Sequence, residues 1–142
     1  MAGPRRRGRE AALQILYQMD STLIPAPEAA GLFWDHLTPG DGGLDADAQA
    51  FANEIVLGVG TEMARLDAAI ALASENWRLE RMPRVDRNLL RMATYELLFM
   101  TDIPRRVTLN EAIELAKRYG DAGSASFVNG VLDKIAQVAG KD

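Results

Sequence analysis

PRRVTLNEAIELAKRYGDAGSASFVNGVLDKI, residues 104–135, is the stretch that decides the fold. In each half of it, apolar residues recur at the spacing that lines one face of a helix. These residues are Leu109, Ala112, Ile113 and Ala116 in the first half and Val128, Val131, Leu132 and Ile135 in the second. The Asp/Gly/Ser-rich segment between the halves predicts a turn. We therefore predict a helical hairpin whose turn is flanked by two aromatic residues, Tyr119 and Phe127.

The ends of the first predicted helix carry recognisable signals. Thr108 and Glu111 fit a capping box, in which each side chain satisfies a free backbone N–H at the helix start. Gly120 follows the last apolar residue of the pattern, where a left-handed glycine commonly ends a helix. From these signals we expect the helix to begin after Thr108 and to end at Tyr119.

The rest of the chain shows helical patterns and no sustained two-residue alternation, so we expect an all-α fold without a sheet. Helices are predicted over residues 5–20, 27–37, 45–77 and 85–100, with a helical turn at 78–82. The segment 85–100 is apolar almost all round, which is typical of a helix covered by others. Gly58 and Gly60 indicate close packing or a kink in the longest helix.

Length and composition predict a soluble protein. The 142 residues amount to about one domain, which we take as residues 1–142. No apolar run reaches the ~18–20 residues that span a bilayer, and no signal peptide is evident. The absence of cysteine fits a reducing compartment. We therefore expect a cytoplasmic protein without a membrane partner.

Charge is distributed unevenly along the chain. Residues 1–10 carry four arginines and one glutamate, a net charge of +3. Because the net charge of the whole chain is −4, the remaining residues carry −7. Arginines in a first helical turn oppose the helix dipole, and Gly8 weakens that turn further. We therefore expect residues 1–9 to be a flexible basic arm on an acidic body.

Signatures of catalysis are missing from the sequence. It contains one histidine, His36, and no cysteine, which excludes zinc sites of the usual kind. No phosphate-binding glycine loop and no nucleophile elbow is present. Glu96 interrupts an apolar stripe, but no second catalytic group accompanies it, so we interpret it as a buried structural carboxylate. We predict a protein that is not an enzyme and needs neither cofactor nor metal.

The basic arm and the two aromatics together suggest a nucleic-acid site. Unpaired bases stack on aromatic faces while arginines neutralise phosphates. Each group also has a structural interpretation: Phe127 continues the core stripe, Tyr119 closes a helix, and the arginines form a solvated terminus. These alternatives stay open on the residues alone, with nucleic-acid binding as the leading hypothesis.

Four segments of the chain resemble the NusB family of bacterial transcription antitermination factors. They are RRRGREAALQILYQMD, LLRMATYELLFMTDIP, VTLNEAIELAKRYG and FVNGVLDKIA, in the family's order. The resemblance implies an all-α fold of about seven helices in two small bundles. It also implies a non-catalytic protein that binds the boxA element of ribosomal RNA leader transcripts as single-stranded RNA. The implied partners are ribosomal protein S ten (NusE) and the RNA polymerase antitermination complex, and the family occurs both as monomer and as homodimer.

The resemblance also assigns roles to residues. The implied RNA-binding residues are Arg5, Arg6, Arg7, Arg9, Tyr119 and Phe127. Tyr17 and Asp86 match positions associated with the protein partner's surface. The chain departs from the family at Ser126, where relatives carry a basic residue. We expect weaker phosphate contact at that turn, unless Arg105 and Arg106 face the same way.

Two other interpretations compete with this one. The pattern is also similar to the N-terminal domain of ribosomal RNA cytosine methyltransferases, but the sequence has neither the glycine-rich loop nor the nucleophilic cysteine that such an enzyme needs. In the second interpretation, the chain is a helical protein–protein interaction module whose arginines bind an acidic partner without RNA.

Overall fold

The structure, a computed structural model, describes residues 3–36, 46–75 and 77–141. Over these residues the chain forms six α-helices, one 3-10 turn and no strand, which confirms the all-α prediction with one α-helix fewer than the expected seven. The 3-10 turn spans Leu79–Arg81. The helices are α1 (Pro4–Thr22), α2 (Ala26–Asp35), α3 (Ala46–Ala73), α4 (Arg84–Phe99), α5 (Arg105–Tyr119) and α6 (Ser124–Ala139).

The chain divides into two compact units, Met1–Thr61 and Glu62–Asp142. The division falls within α3, where Glu62 has non-helical backbone angles of φ −101° and ψ 16°. The kink predicted for the longest helix is therefore present, two residues after Gly60. The end of the predicted helix 27–37 and residues 38–44 lie outside the described residues.

In the N-terminal unit, small residues allow the helices to approach closely. A Cβ on Gly8 of α1 would lie 2.8 Å from the Ala48 carbonyl oxygen, and one on Gly60 would lie 2.8 Å from the Ala26 Cβ. The Trp34 indole Nε1 donates a 2.7 Å hydrogen bond to Asn53 Oδ1 and so ties α2 to α3. Buried apolar side chains fill the unit, among them Ala12, Ile15, Leu16, Ala52, Ile55 and Val59.

Residues 4–9 are helical, so the prediction of a flexible arm over 1–9 is wrong for this part of it. Pro4 occupies the start of α1, where its fixed φ suits a helix and its missing N–H is not needed. Gly8, which weakens an isolated helix, is the residue that lets α1 lie against Ala48 and Phe51. Packing therefore outweighs the unfavourable local sequence.

In the C-terminal unit, α4, α5 and α6 pack against one another. α4 is buried on most sides, as its sequence predicted, and Leu89, Leu90, Met92, Ala93 and Leu97 form part of the core. The Arg91 guanidinium binds both carboxylate oxygens of Asp67, at 2.8 and 3.1 Å, and joins α4 to the second part of α3.

The ends of α5 differ from the predicted ones. The helix begins at Arg105 after Pro104, without a side-chain cap. Thr108 lies inside it, and its hydroxyl donates a 3.0 Å hydrogen bond to the Glu96 carboxylate, where both residues are buried. The capping box is therefore wrong, whereas the interpretation of Glu96 as a buried structural carboxylate agrees with this geometry. Gly120 ends the helix with an extended backbone, φ −92°, and not in the left-handed region.

Candidate nucleic-acid interface

The four arginines of α1 have different surroundings. Arg5 and Arg6 are exposed and Arg7 is half-buried, whereas Arg9 is only 3% exposed. The guanidinium carbons of Arg5 and Arg9 each lie 5.1 Å from the centre of the Phe51 ring, a distance at which cation–π attraction is effective. The burial of Arg9 is at odds with its predicted phosphate contact, because its charge is directed at a ring of α3.

Carboxylates lie close to the start of α1. Arg5 shares a cleft of about 580 Å³ with Asp47, Phe51 and Glu54, and both carboxylate residues are exposed. The positive charge of the helix start is therefore partly offset within its own unit. Arg6 is exposed and does not line this cleft.

The turn between α5 and α6 carries the two predicted aromatics. Tyr119 is 37% exposed and lies 5.5 Å, ring centre to guanidinium carbon, from Arg118. Phe127 is half-buried on the first turns of α6. Neither ring is fully within the core, so both retain surface that a ligand can contact. Arg118 adds a cation beside Tyr119 that the sequence pattern had not singled out.

The buried carboxylate of Asp86 anchors the α5–α6 turn through a hydrogen bond with Ser124. The Ser124 hydroxyl donates a 2.6 Å hydrogen bond to Asp86 Oδ1, and the Asp121 N–H donates to the same Ser124 oxygen at 3.0 Å. Burial raises the pKa of Asp86, and the hydrogen bond from Ser124 opposes the rise. Gly120 is required here because a Cβ would lie 2.5 Å from Ser124 Oγ.

The two residues predicted to contact a protein partner are placed differently. Tyr17 is 41% exposed on α1, which leaves its ring available to another chain. Asp86 is 4% exposed and is engaged with Ser124. Its carboxylate therefore offers no open surface, and its role in the structure is to position the α5–α6 turn.

Sequence reasoning missed Trp77, an exposed aromatic residue beside Phe127. The two ring centres are 6.0 Å apart, with an angle of 68° between the planes, and Trp77 is 56% exposed. The signal was the position of the residue: it follows the end of α3 in the polar segment SENWRLER. A tryptophan among polar residues at a helix end has no apolar stripe to join, which indicates a surface role.

The ring pair forms one wall of a cleft of about 470 Å³ in the C-terminal unit. Lys134 Nζ binds Glu75 Oε1 at 2.8 Å, which lowers the pKa of Glu75. Asp133 forms an ion pair with Arg105. Both carboxylates of the cleft are thus matched by cations, and Arg105 is engaged with Asp133.

Neither a metal centre nor a membrane span is found in the part of the chain that the structure describes. Within residues 3–36, 46–75 and 77–141, no three histidine, cysteine, aspartate or glutamate side chains lie together where they could hold a metal ion. Over the same ranges, no helix combines the length and the apolar character needed to cross a bilayer.

Comparison with known proteins identifies relatives along nearly the whole chain. The model of the NusB family matches residues 6–137. The transcription antitermination protein NusB of Sorangium cellulosum is 50% identical over 139 residues, which are 98% of this chain and 96% of that protein. The protein of the same name from Geobacter sulfurreducens is 48% identical over 134 residues, 94% of each chain.

Solved structures of NusB proteins share the fold. NusB of T. maritima superposes with a TM-score of 0.84 at 41% identity, covering 96% of this chain and 93% of that one. A chain from a crystal structure of the antitermination factors NusB and NusE in complex with double-stranded RNA gives a TM-score of 0.85 at 25% identity, with coverages of 97% and 99%. With its family model, its relatives and its fold in agreement, the chain belongs to the NusB family.

Proposed function

We propose that the chain is a non-catalytic transcription antitermination factor that binds single-stranded boxA RNA of ribosomal RNA leader transcripts together with ribosomal protein S ten (NusE). The observation that carries this proposal is membership of the NusB family over nearly the full chain, with a fold neighbour solved together with NusE and RNA. The protein acts in the cytoplasm, as part of the RNA polymerase antitermination complex.

The arginines of α1 that reach solvent neutralise phosphates in this proposal. Arg5 and Arg6 are exposed and Arg7 is half-buried, with its Nε atom buried, whereas Arg9 is buried with its guanidinium over the Phe51 ring. Arginine contacts of this kind give affinity without sequence preference and depend strongly on salt. The arginines therefore supply the electrostatic part of binding.

The aromatic residues that flank the α5–α6 turn stack on bases. Tyr119 is exposed and Phe127 is half-buried, and stacking of this kind tolerates any base. Arg118 supplies a cation beside Tyr119, which offsets in part the lack of a basic residue at Ser126. Arg106 is exposed and remains available for a phosphate, unlike Arg105.

NusE lengthens the RNA-binding track in this proposal. Tyr17 is the exposed residue of α1 that we assign to the protein partner. A small RNA site alone binds weakly, and a bound second protein that also touches the RNA raises affinity through effective concentration. The active form in this proposal is the monomer bound to NusE.

The test measures RNA affinity with and without NusE. Fluorescence anisotropy of labelled RNA is followed for three probes of equal length: boxA single strand, scrambled single strand, and boxA duplex. We expect weak binding to the boxA strand by the chain alone and at least tenfold tighter binding when NusE is present. The scrambled strand controls for sequence, and the duplex controls for the form of RNA.

Each other outcome assigns a different function. Equal and negligible binding to all three probes with NusE present would contradict RNA binding and favour a protein–protein interaction module. Preference for the duplex would contradict single-strand recognition. Sedimentation of the same samples distinguishes the monomer from a homodimer, and RNA binding that increases with dimer formation would contradict the monomeric active form.

A further inference from the structure

The backbone of Trp77 is bonded to Ser74 while its side chain is exposed to solvent. Its backbone N–H donates a 2.8 Å hydrogen bond to the Ser74 carbonyl, and the Ser74 hydroxyl donates a 3.2 Å bond to the Trp77 carbonyl. Ser74 is itself buried. The backbone N–H and C=O of Trp77 are therefore both bonded to Ser74, while 56% of the residue stays exposed. Tryptophan is enriched at interaction surfaces because its large ring buries much apolar area while its N–H can form a hydrogen bond.

The neighbouring ring leaves the indole open for stacking. At an interplanar angle of 68° the Trp77 and Phe127 rings meet edge to face, so the two do not cover each other by parallel stacking. Phe127 supports the indole from one side and shares the same cleft. A third flat ring can therefore lie against Trp77 without displacing Phe127.

The cleft suits a neutral ring and not a phosphate. Its two carboxylates, Glu75 and Asp133, are each paired with a cation, so no excess positive charge remains to attract a phosphate. Ser126 and Gln137 line the cleft and offer hydrogen-bonding groups. The cleft is open to solvent over much of its extent, which leaves room for a base that stays joined to an RNA strand.

We infer that Trp77 and Phe127 form a nucleobase-binding cleft, in which an unpaired base of the RNA stacks on the indole. This inference rests on the proposed RNA-binding function and extends it, because the RNA track then reaches from the α5–α6 turn to the segment that follows α3. The aromatic pair supplies stacking and the polar rim supplies hydrogen bonds to base edges. Trp77 is thus an RNA-contacting residue of the C-terminal unit.

The first test uses tryptophan fluorescence. The chain contains two tryptophans, so Trp34→Phe leaves Trp77 as the single indole. Titration with the boxA single strand in the presence of NusE should quench Trp77 emission, since a stacked base quenches an indole. The quenching should reach its midpoint at the RNA concentration found by anisotropy. A thermal melt of the Trp34→Phe variant controls for the lost hydrogen bond to Asn53.

The second test uses substitutions in the otherwise native chain. Trp77→Ala should lower RNA affinity about 5- to 150-fold, the range for loss of one stacked base, and Trp77→Phe should restore most of it. The slope of log K against log salt should stay unchanged in both variants, because stacking releases no counterions. Leu72→Ala, at an 81% exposed position near the end of α3, is the matched control and should bind RNA normally.

The outcomes separate this inference from the proposed function. Absence of RNA binding by the native chain with NusE present would overturn both. Normal RNA affinity of Trp77→Ala, without quenching in the Trp34→Phe variant, would overturn the cleft alone. Normal RNA affinity combined with weaker NusE binding would also overturn it and would assign Trp77 to a protein contact.

Discussion

Asp86 is a buried carboxylate whose ionisation opposes folding. Because burial raises its pKa above the unfolded value of about 3.9, its contribution to stability is fully present below that value. The contribution is lost as pH rises through the higher pKa of the folded state. The Asp86→Asn variant keeps an oxygen that can accept the Ser124 hydrogen bond but does not titrate. Its free energy of unfolding relative to the native chain should therefore increase with pH.

Denaturant unfolding of both proteins between about pH 4 and 7 measures this difference, since other groups titrate alike in the two and cancel. Ser124→Ala is the control, because it removes the donor and leaves the carboxylate. It should destabilise the protein by about 1–3 kcal/mol at neutral pH. A difference between Asp86→Asn and the native chain that does not change with pH would contradict the role assigned to burial.

Glycine is required at position 120 because a Cβ would have no room there, and not because of its backbone angles. A Cβ there would lie 2.5 Å from Ser124 Oγ and 2.8 Å from the Ala116 carbonyl oxygen. Gly120→Ala should therefore destabilise the protein by about 1–3 kcal/mol, the usual cost of overpacking. Gly130→Ala is the matched control on α6: nothing lies within 4 Å of its Cβ, so it should stabilise the helix by about 0.5–1 kcal/mol. Thermal melts of both variants test this prediction. Equal melting temperatures would exclude the steric explanation.

At the level of helices, Lys141 caps the C-terminal end of α4. Its ammonium donates hydrogen bonds of 2.9 Å to the Glu96 carbonyl and 3.0 Å to the Met100 carbonyl. Both carbonyls also accept a backbone N–H, from Met100 and Ile103 respectively, so the ammonium adds a second hydrogen bond to each and complements the helix dipole. Lys141→Met should lower the free energy of unfolding by roughly 1–2 kcal/mol, as measured by urea denaturation at neutral pH.

The matched control for this cap is Lys117→Met, at an exposed position of α5 where the ammonium lies 3.9 Å from the Glu114 carboxylate. Surface pairs of this kind contribute little to stability. The two variants lose the same charge and gain the same side chain. A loss of stability as large in Lys117→Met as in Lys141→Met would show that charge alone, and not the cap, is responsible.

Helices could be predicted from the sequence, but several of their ends could not. Apolar spacing within α4, α5 and α6 is a local signal, and each helix was found. Thr108 has the sequence of an N-cap, yet its hydroxyl bonds to Glu96, twelve residues earlier. A competing partner on another helix cannot be recognised from local spacing. The same reason explains the helical start of α1, which depends on Phe51 and Ala48.

The candidate site could be predicted only in part, again because local spacing does not reveal contacts between distant parts of the chain. The place of Tyr119 at a helix end left both a structural and a surface role open, and the structure shows the residue to be 37% exposed. Arg9 was assigned to RNA, but it is buried over Phe51, some forty residues along the chain. Trp77 was overlooked because its neighbour Phe127 lies on α6, far along the chain. Sequence spacing therefore predicts least well the positions of residues whose role depends on a partner far along the chain.

For the whole molecule, salt dependence should report the number of phosphates that α1 contacts. The three arginines of α1 that reach solvent contribute about −2 to the slope of log K against log salt on a single strand. With Arg5, Arg6 and Arg7 changed together to alanine, the slope should lose this contribution and keep only that of the remaining cations, such as Arg106, while the helices still form. Anisotropy titrations from about 50 to 300 mM salt measure the slope for both proteins.

The control for the arginine variant is Arg65→Ala, which removes an exposed cation from the C-terminal unit. Its slope should equal that of the native chain. An unchanged slope in the triple variant would remove α1 from the RNA contact. The −7 charge carried by the residues after position 10 makes either result easy to interpret, because an acidic body adds little unspecific attraction for RNA.

The chain contains no cysteine, and Ser126 is exposed on the wall of the cleft beside Phe127. A Ser126→Cys substitution therefore places one reactive thiol in the whole protein, at the edge of the surface on which a base is expected to lie. An RNA strand with a thiol-bearing linker on a single nucleotide can then be joined to it by disulfide exchange. Moving the linker along the strand would show which nucleotide lies nearest to this position.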